Sequence, residues 1–258
     1  DIRRLKILEK VFARHRPTDI IHIAAETHVD LSIKNPRLFL ETNVQGTHNL
    51  LLLARQYEID RFHQISTDEV YGSLSNSDKP FTTKFPVSPN NPYSASKAAA
   101  DQFVRAYHKT FGLNAVITRC SNNYGPHQDK TKLIPKSILC LLQDKKIPIY
   151  ATGKNIRDWI YVEDHIDALE LIFHRGTSGG VYNIGGNCEI RNIDIARKLL
   201  AFMDKDESYI EFVPDRKGHD YRYAINASEI KRELGWKPKI NFDDGLKKTI
   251  QFYKDYDR

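Results

Sequence analysis

The run Phe62-His63-Gln64-Ile65-Ser66, continued as Thr67-Asp68-Glu69-Val70-Tyr71-Gly72, decides the fold. Its first half has the length and composition of a strand, and its second half places a hydroxyl and two carboxylates where that strand ends. Upstream, Asp19–Ala25 (DIIHIAA) is an apolar run suited to a strand buried on both faces. Downstream, Ala115–Arg119 (AVITR) predicts a third strand. Helical patterns lie between them. Asn35-Pro36 is a cap followed by proline at the first helical position, and Leu40, Val44, Leu50, Leu51 and Ala54 carry the apolar face to about Tyr57. Tyr93–Phe111 reads as a helix closed by Gly112, and residues 1–15 as another that ends near Arg16-Pro17. Strand–helix alternation at these lengths predicts right-handed parallel crossovers, hence an α/β fold with a doubly wound parallel sheet.

Beyond about residue 120 the pattern becomes mixed. Short strands at Ile147–Ala151, Val181–Ile184 and Ile210–Val213 stand among helices at Glu163–Arg175, Ile193–Met203 and Asp243–Tyr256. The expected organisation is a sheet domain over residues 1–125 and a smaller mixed α/β lobe over 126–258. The lobe is interleaved with the sheet, and part of 147–185 returns to the first domain.

Composition excludes several classes. With 40% hydrophobic and 28% charged residues among 258, the chain is neither disordered nor fibrous. No apolar window is long enough to span a membrane. The three cysteines have no CxxC spacing and the histidines no ligand spacing, so neither a metal site nor a disulfide framework is expected, and a cytoplasmic setting fits. The balance of 39 Lys+Arg against 33 Asp+Glu, net +6, favours anionic ligands. The basic residues are scattered, so no nucleic acid is expected as a partner.

Two groupings carry chemistry. Tyr93 and Lys97, four apart, share a helix face, where an ammonium can favour the phenolate of a phenol that ordinarily titrates near ~10. Alone this spacing equally fits a solvated helix face. The adjacent Asp68 and Glu69 follow a strand at the carboxyl end, where open α/β sheets bind ligands. Neighbouring carboxyls can separate in pKa, one staying protonated as an acid while the other acts as a base. Thr67 adds a hydroxyl beside them.

Ala24-Ala-Glu-Thr-His-Val-Asp30, Ser66-Thr-Asp-Glu-Val-Tyr-Gly72, Tyr93-Ser-Ala-Ser-Lys97, Arg119-Cys-Ser-Asn-Asn-Tyr-Gly-Pro126, Arg157-Asp-Trp-Ile-Tyr-Val-Glu-Asp164 and Asp215-Arg-Lys-Gly-His-Asp220 together resemble the extended short-chain dehydrogenase/reductases. More narrowly they resemble the nucleotide-sugar 4,6-dehydratases, the dTDP-glucose 4,6-dehydratase type above all, and Asp68-Glu69 is the specific element.

The resemblance implies a Rossmann-like NAD-binding domain and dehydration of a dTDP- or UDP-glucose to the 4-keto-6-deoxy sugar nucleotide. It implies Tyr93 and Thr67 at the C4 hydroxyl, Lys97 lowering the Tyr93 pKa, Glu69 as the C5 base and Asp68 as the acid at C6. Ala24, Ala25, Thr27, Thr42, Tyr93, Lys97 and Asn123 match positions that contact NAD. Thr67, Asn122, Lys132, Leu133, Ile149, Tyr150, Arg157, Asn192, Arg216 and His219 match the substrate site, with Arg157 suited to bidentate phosphate binding. A homodimer through the helices at 36–57 and 93–111 is also implied.

One departure stands out. None of the 13 glycines forms a GxGxxG or GxxGxxG turn opening a helix, and the chain starts at Asp1 in a helical pattern with Met203 as its only methionine. The expectation is a Rossmann-like sheet lacking its first strands, with roughly 60–70 residues missing upstream at ~30 per βαβ step, and weak NAD binding by the chain alone. The alternatives are a 4-epimerase or decarboxylase of the same superfamily, which usually lack the Asp-Glu pair, or a truncated, non-catalytic nucleotide-binding homologue.

Overall fold

The structure is a computed structural model and describes residues 1–256. Helix α1 (Leu5–His15) precedes β1 (Asp19–His22). Helices α2 (Val29–Lys34), α3 (Pro36–Phe39) and α4 (Gly46–Gln56) lead to β2 (Arg61–Thr67), and α5 (Pro92–Phe111) leads to β3 (Ala115–Cys120).

Two details differ from the sequence expectation. The first strand stops at His22 rather than Ala25, and it buries Ile20 and His22 but leaves Ile21 49% exposed, so it is not buried on both faces. Beyond it, the Asn43 amide replaces the ladder, with Oδ1 accepting from Glu26 N and Nδ2 donating to Glu26 O. The helix expected through 36–57 is interrupted by a π-helical segment, Leu40–Gln45. There Thr47 Oγ1 donates to the Asn43 carbonyl at 2.6 Å, and the wide turn swings Asn43 toward Glu26 and the Ser96 hydroxyl.

The second half continues with β4 (Asn122–Tyr124), α6 (Leu133–Leu142), β5 (Ile147–Tyr150), β6 (Ile156–Tyr161), α7 (Val162–Arg175) and β7 (Val181–Ile184). Then come β8 (Glu189–Arg191), α8 (Asn192–Phe202), β9 (Ile210–Val213), α9 (Ser228–Leu234) and α10 (Phe242–Tyr256). The main sheet has the order β1-β2-β3-β7 and is parallel throughout, with Ile20 opposite Phe62, Phe62 opposite Ala115, and Ile117 opposite Val181. Strand β6 pairs parallel to β4 and antiparallel to β8, and β5 pairs with β9. Periodicity does not reveal β6, because its Arg157 and Asp158 look like surface charges but are 7% and 1% exposed.

Apolar residues cover both faces of the main sheet. Phe12, Leu51, Leu53 and Val104, from α1, α4 and α5, pack on Phe62 and Ile117 on one side. Ile172 of α7, Ile230 of α9 and Trp236 pack on Val116 and Ile184 on the other. The lobe has its own core, in which Ile138, Leu199, Leu246 and Ile250 from α6, α8 and α10 close over Ile147 and Ile149. The long loop after β2 is anchored by Arg222, which donates to the Ser75 and Asp78 carbonyls and, at 2.6 and 2.8 Å, to both Glu189 oxygens.

Gly186, between β7 and β8, lies against the β6 backbone: a Cβ built there would fall 1.8 Å from the Trp159 carbonyl oxygen. Replacing Gly186 by Ala is therefore expected to destabilise the fold by about 1–3 kcal/mol or more, read as a lowered urea midpoint. An unchanged midpoint would show that the two strands separate freely.

Candidate active site

The chemistry gathers at the carboxyl ends of β2 and β3. Thr67 ends β2 and caps the short 3₁₀ turn Asp68–Tyr71, its hydroxyl accepting from Glu69 N at 3.3 Å. The same hydroxyl lies 3.4 Å from Asp68 Oδ1. Opposite stands the start of α5, fixed by a capping box between Asn91 and Ser94 with Pro92 in the first turn. This start places Tyr93 in the first turn and Lys97 one turn on, 7% and 5% exposed. Lys97 Nζ donates to the Ile65 carbonyl at 2.7 Å.

Burial governs the protonation states. Asp68 is pushed well above the ordinary carboxyl range, by burial first and then by the negative charge of Glu69. Burial also raises Glu69, but Arg157, Lys132 and Arg216 oppose the rise. The pair is thus split: Asp68 favours the protonated form, while Glu69 is held closer to ionisation. Burial and then Glu69 push the Tyr93 phenol well up, opposed by the Thr67 hydroxyl beside it. The Lys97 ammonium, one turn on from Tyr93, is turned to the Ile65 carbonyl. Burial lowers Lys97, and Asp101 on the next turn of α5 counters it.

In front of Glu69 opens a cavity of about 520 Å³. Of the residues expected at the substrate site, Asn122, Lys132, Leu133, Ile149, Tyr150, Arg157, Asn192, Arg216 and His219 line it, as does Asn123 from the cofactor set. Its wall carries six cations (Lys34, Lys130, Lys132, Lys136, Arg157, Arg216) against three acids (Asp30, Glu69, Asp220), a field that draws anions. The side-chain oxygens of Asn122 and Asn192 are buried with no hydrogen-bond partner. Arg157 is engaged by backbone, donating to the carbonyls of Ile156 at 2.7 Å, Asp220 at 2.9 Å and Tyr221 at 3.3 Å. Arg216 is less committed: its Nε is buried without a hydrogen bond, 3.6 Å from Asp30 Oδ1, and its guanidinium lies over the Tyr150 ring.

The chain that follows β1 reaches the cavity wall through the Thr27 carbonyl and through Asp30 in the first turn of α2. Lys132 Nζ donates to the Thr27 carbonyl at 2.6 Å, and the Tyr150 hydroxyl donates to Asp30 Oδ2 at 3.2 Å. His28 and Asp30 therefore belong to the site, as do Gln128, Trp159, Asp220 and Tyr223. Sequence reasoning did not single these out. His28 and Asp30 lie inside a quoted motif, but nothing in the local pattern marks Tyr223.

Thr67, Asp68, Tyr93 and Lys97 sit behind Glu69 rather than on the cavity wall. Ala24, Ala25, Thr27 and Thr42 belong to the segments that follow β1 and to the π-helical turn. The residues present suit the nicotinamide end of a dinucleotide: Thr42 Oγ1 and Asn123 Oδ1 are buried polar atoms without partners, and small side chains stand at Ala24 and Ala25. The first glycine of the sequence is Gly46, so no glycine-rich turn precedes β1 in these residues.

Asp158, behind the site on β6, is raised to about 7 by burial, although its Oδ1 accepts from Cys188 N at 2.7 Å. A carboxyl raised on folding is neutral in both states at low pH, so its penalty develops as pH climbs from ~4 to the folded pKa. Replacing Asp158 by Asn is expected to stabilise the protein on the order of a few kcal/mol at pH values above that folded pKa and hardly at all near pH ~4. Urea melts at the two pH values check this, and a gain independent of pH would contradict it.

Comparison with known proteins agrees with this geometry. Residues 1–249 match the family model for GDP-mannose 4,6 dehydratase. The chain is 47% identical to the dTDP-glucose 4,6-dehydratase of Neisseria meningitidis serogroup B (strain ATCC BAA-335 / MC58), over 96% of this chain and 76% of that protein. Its structure is similar to that of DesIV, the dTDP-glucose 4,6-dehydratase of Streptomyces venezuelae, solved with NAD bound, at a TM-score of 0.96 and 43% identity over 99% of this chain and 78% of the other. It is also similar to the dTDP-glucose 4,6-dehydratase of Bacillus anthracis str. Ames in complex with NAD, at a TM-score of 0.90 and 44% identity, covering 99% and 78%.

Proposed function

The chain belongs to the nucleotide-sugar 4,6-dehydratases, and on that premise we propose that it carries out the NAD-dependent conversion of dTDP-glucose to the 4-keto-6-deoxy sugar nucleotide. The observation that carries the reading is the split carboxyl pair, Asp68 and Glu69, set beside Thr67 and Tyr93 at the head of a cation-rich cavity. Bound NAD would supply the hydride acceptor needed at C4 and the hydride donor needed at C6. Tyr93, with the Thr67 hydroxyl beside it, takes the proton of the C4 hydroxyl in its phenolate form, and Lys97, one turn on along α5, supplies the positive charge that favours that form. Once C4 is a ketone the C5 hydrogen is acidic, and Glu69, the more readily ionised carboxyl, takes it. Asp68 keeps its proton and gives it to the C6 hydroxyl, which leaves as water. The walls of the cavity hold the nucleoside diphosphate, with Arg216, less committed than Arg157, as the guanidinium placed for phosphate.

Two finer readings go with it. Leu52 on α4 and Phe103 and Phe111 on α5 are 37%, 41% and 45% exposed, which supports a homodimer through these helices. The three cysteines are free thiols, which supports a reducing, cytoplasmic setting. Among the described residues no helix is long and apolar enough to cross a membrane.

Turnover of dTDP-glucose in deuterated buffer with NAD tests the reading. The expected product has lost one water and carries solvent deuterium at C5. Recovery of a C4 epimer or a pentose would overturn it, and UDP-glucose run in parallel reads the base preference.

A further inference from the structure

The phenol of Tyr223 stands between two carboxylates in the cavity wall. Its hydroxyl donates to Asp220 Oδ2 at 2.5 Å, and the same oxygen lies 3.4 Å from Glu69 Oε2. A phenol has one proton to give and lone pairs with which to accept, and the shorter contact commits that proton to Asp220. Asp220 is itself fixed: its Oδ1 accepts from Asn90 Nδ2 at 2.6 Å, and its backbone carbonyl accepts from Arg157 at 2.9 Å and Asn155 at 3.2 Å. The Tyr223 ring is clamped by the Arg157 guanidinium, 4.2 Å from its centroid. Tyr223 and Asp220 are 3% and 5% exposed, so their contact is buried, while Glu69 is half-buried at the cavity wall.

We propose that Tyr223 is a positioning residue for the elimination: its proton held by Asp220, it offers its oxygen to the protonated form of Glu69 and fixes that carboxyl as it receives the C5 proton. The proposal rests on the dehydration reading. In proton terms, Glu69 takes H⁺ from C5 and the C5–H electron pair moves toward the C4 carbonyl. It then forms the C5–C6 double bond as C6–O breaks, and the departing hydroxyl leaves as water with the proton of Asp68. Neutral Glu69 now has a hydrogen to donate, and the Tyr223 oxygen is the acceptor already facing it, until a proton, by then exchanged with solvent, is delivered back to C5.

Other charged and titratable groups also bear on Glu69. Arg157 from β6, Lys132 ahead of α6 and Arg216 from the loop after β9 favour its ionised form, and Asp220 favours the neutral one. Asp68 is its neighbour in sequence, and Tyr93 faces it from α5, where Glu69 is the first charge acting on the phenol. Against three cations, Asp220 and a phenol turned to accept supply the counterweight that a base needs if it is to keep a proton briefly.

Two variants test this. Tyr223→Phe keeps the ring under Arg157 and removes only the oxygen; it is expected to lower kcat at least about tenfold, change KM less than about threefold, and raise the isotope effect of C5 deuterium on kcat. Asp220→Asn removes the charge that holds the tyrosine proton, freeing it for the Glu69 carboxylate. In protein without ligand, the titration midpoint of ¹³C-labelled Glu69, assigned through the Glu69→Gln spectrum, is expected to fall by about half a unit or more. A kcat for Tyr223→Phe within about twofold of wild type, or a midpoint that stays or rises in Asp220→Asn, overturns the proposal. If wild type failed to dehydrate dTDP-glucose, the dehydratase reading would fall, and the titration would still decide the contact.

Discussion

Replacing Glu69 by Gln is expected to lower kcat by about 10²–10⁴-fold while oxidation at C4 survives. The amide keeps the shape of the side chain and its place beside Tyr223, but cannot accept the C5 proton. The split between the two carboxyls makes the effect specific. Asp68, raised well up by burial and by its neighbour's charge, is an acid and cannot stand in as the base. Single-turnover absorbance should show reduced nicotinamide accumulating in the variant, whereas loss of that signal along with turnover would mean that Glu69 serves the first step. Replacing Asp68 by Asn should leave C5 exchange with solvent faster than water loss, because deprotonation no longer finds an acid at C6. The pair is thereby separable by one absorbance and one isotopic readout, and equal loss of both in each variant would refute the division of roles.

The second large effect concerns stability. Arg119, 1% exposed on β3, pairs through Nε with Asp101 Oδ2 at 3.0 Å, and Asp101 is fully buried on α5. The guanidinium also lies over the Tyr71 ring, 4.8 Å from its centroid. Arg119→Met is expected to cost about 3–5 kcal/mol, because it leaves the Asp101 carboxyl buried without its cation. The double variant Arg119→Met/Asp101→Leu should recover much of that loss, since it removes both charges. Urea unfolding of the three proteins gives the coupling directly. Additive losses in the double variant would show that the pair does not interact. Asp101 also supports the charge of Lys97, so the single Arg119 variant perturbs the ion balance around that lysine as well as the core.

The main sheet was legible because its strands are uniform. Ile117 and Phe62 meet apolar neighbours on one face of the sheet, Val116 and Ile184 on the other, and the crossover helix α5 carries clear caps at Asn91 and Gly112. The Asp68–Glu69 and Tyr93–Lys97 groupings were legible for a related reason: each lies within one turn or helix, so local spacing determines which residues meet. The lobe was harder. Strand β6 hides because function puts Arg157 and Asp158 where periodicity expects apolar side chains. Helix α6 is apolar nearly all round and carries Pro135 in its first turn, so neither an amphipathic stripe nor a clean start marks it. The π-helical turn at Leu40–Gln45 follows from side-chain hydrogen bonding to backbone some seventeen residues away, and no local propensity encodes that. Tyr223 escaped notice for a similar reason. Its partner Glu69 lies 154 positions earlier, and only the folded chain sets the two hydroxyl contacts side by side.

The contacts of Lys132 and Arg216 at the cavity wall have a consequence for recognition. Lys132 is held by the Thr27 carbonyl, and Arg216 stands by the Asp30 carboxylate that also receives the Tyr150 hydroxyl. A ligand must outbid those oxygens for the same donors, and only one with strong acceptors of its own can do so. A bare sugar has no such acceptors; a diphosphate does. The Thr27 carbonyl and the Asp30 carboxylate in the first turn of α2 thus reserve these donors for a ligand that carries negative charge. Selectivity for an activated sugar over the free one is then set in binding, before any bond in the sugar is touched.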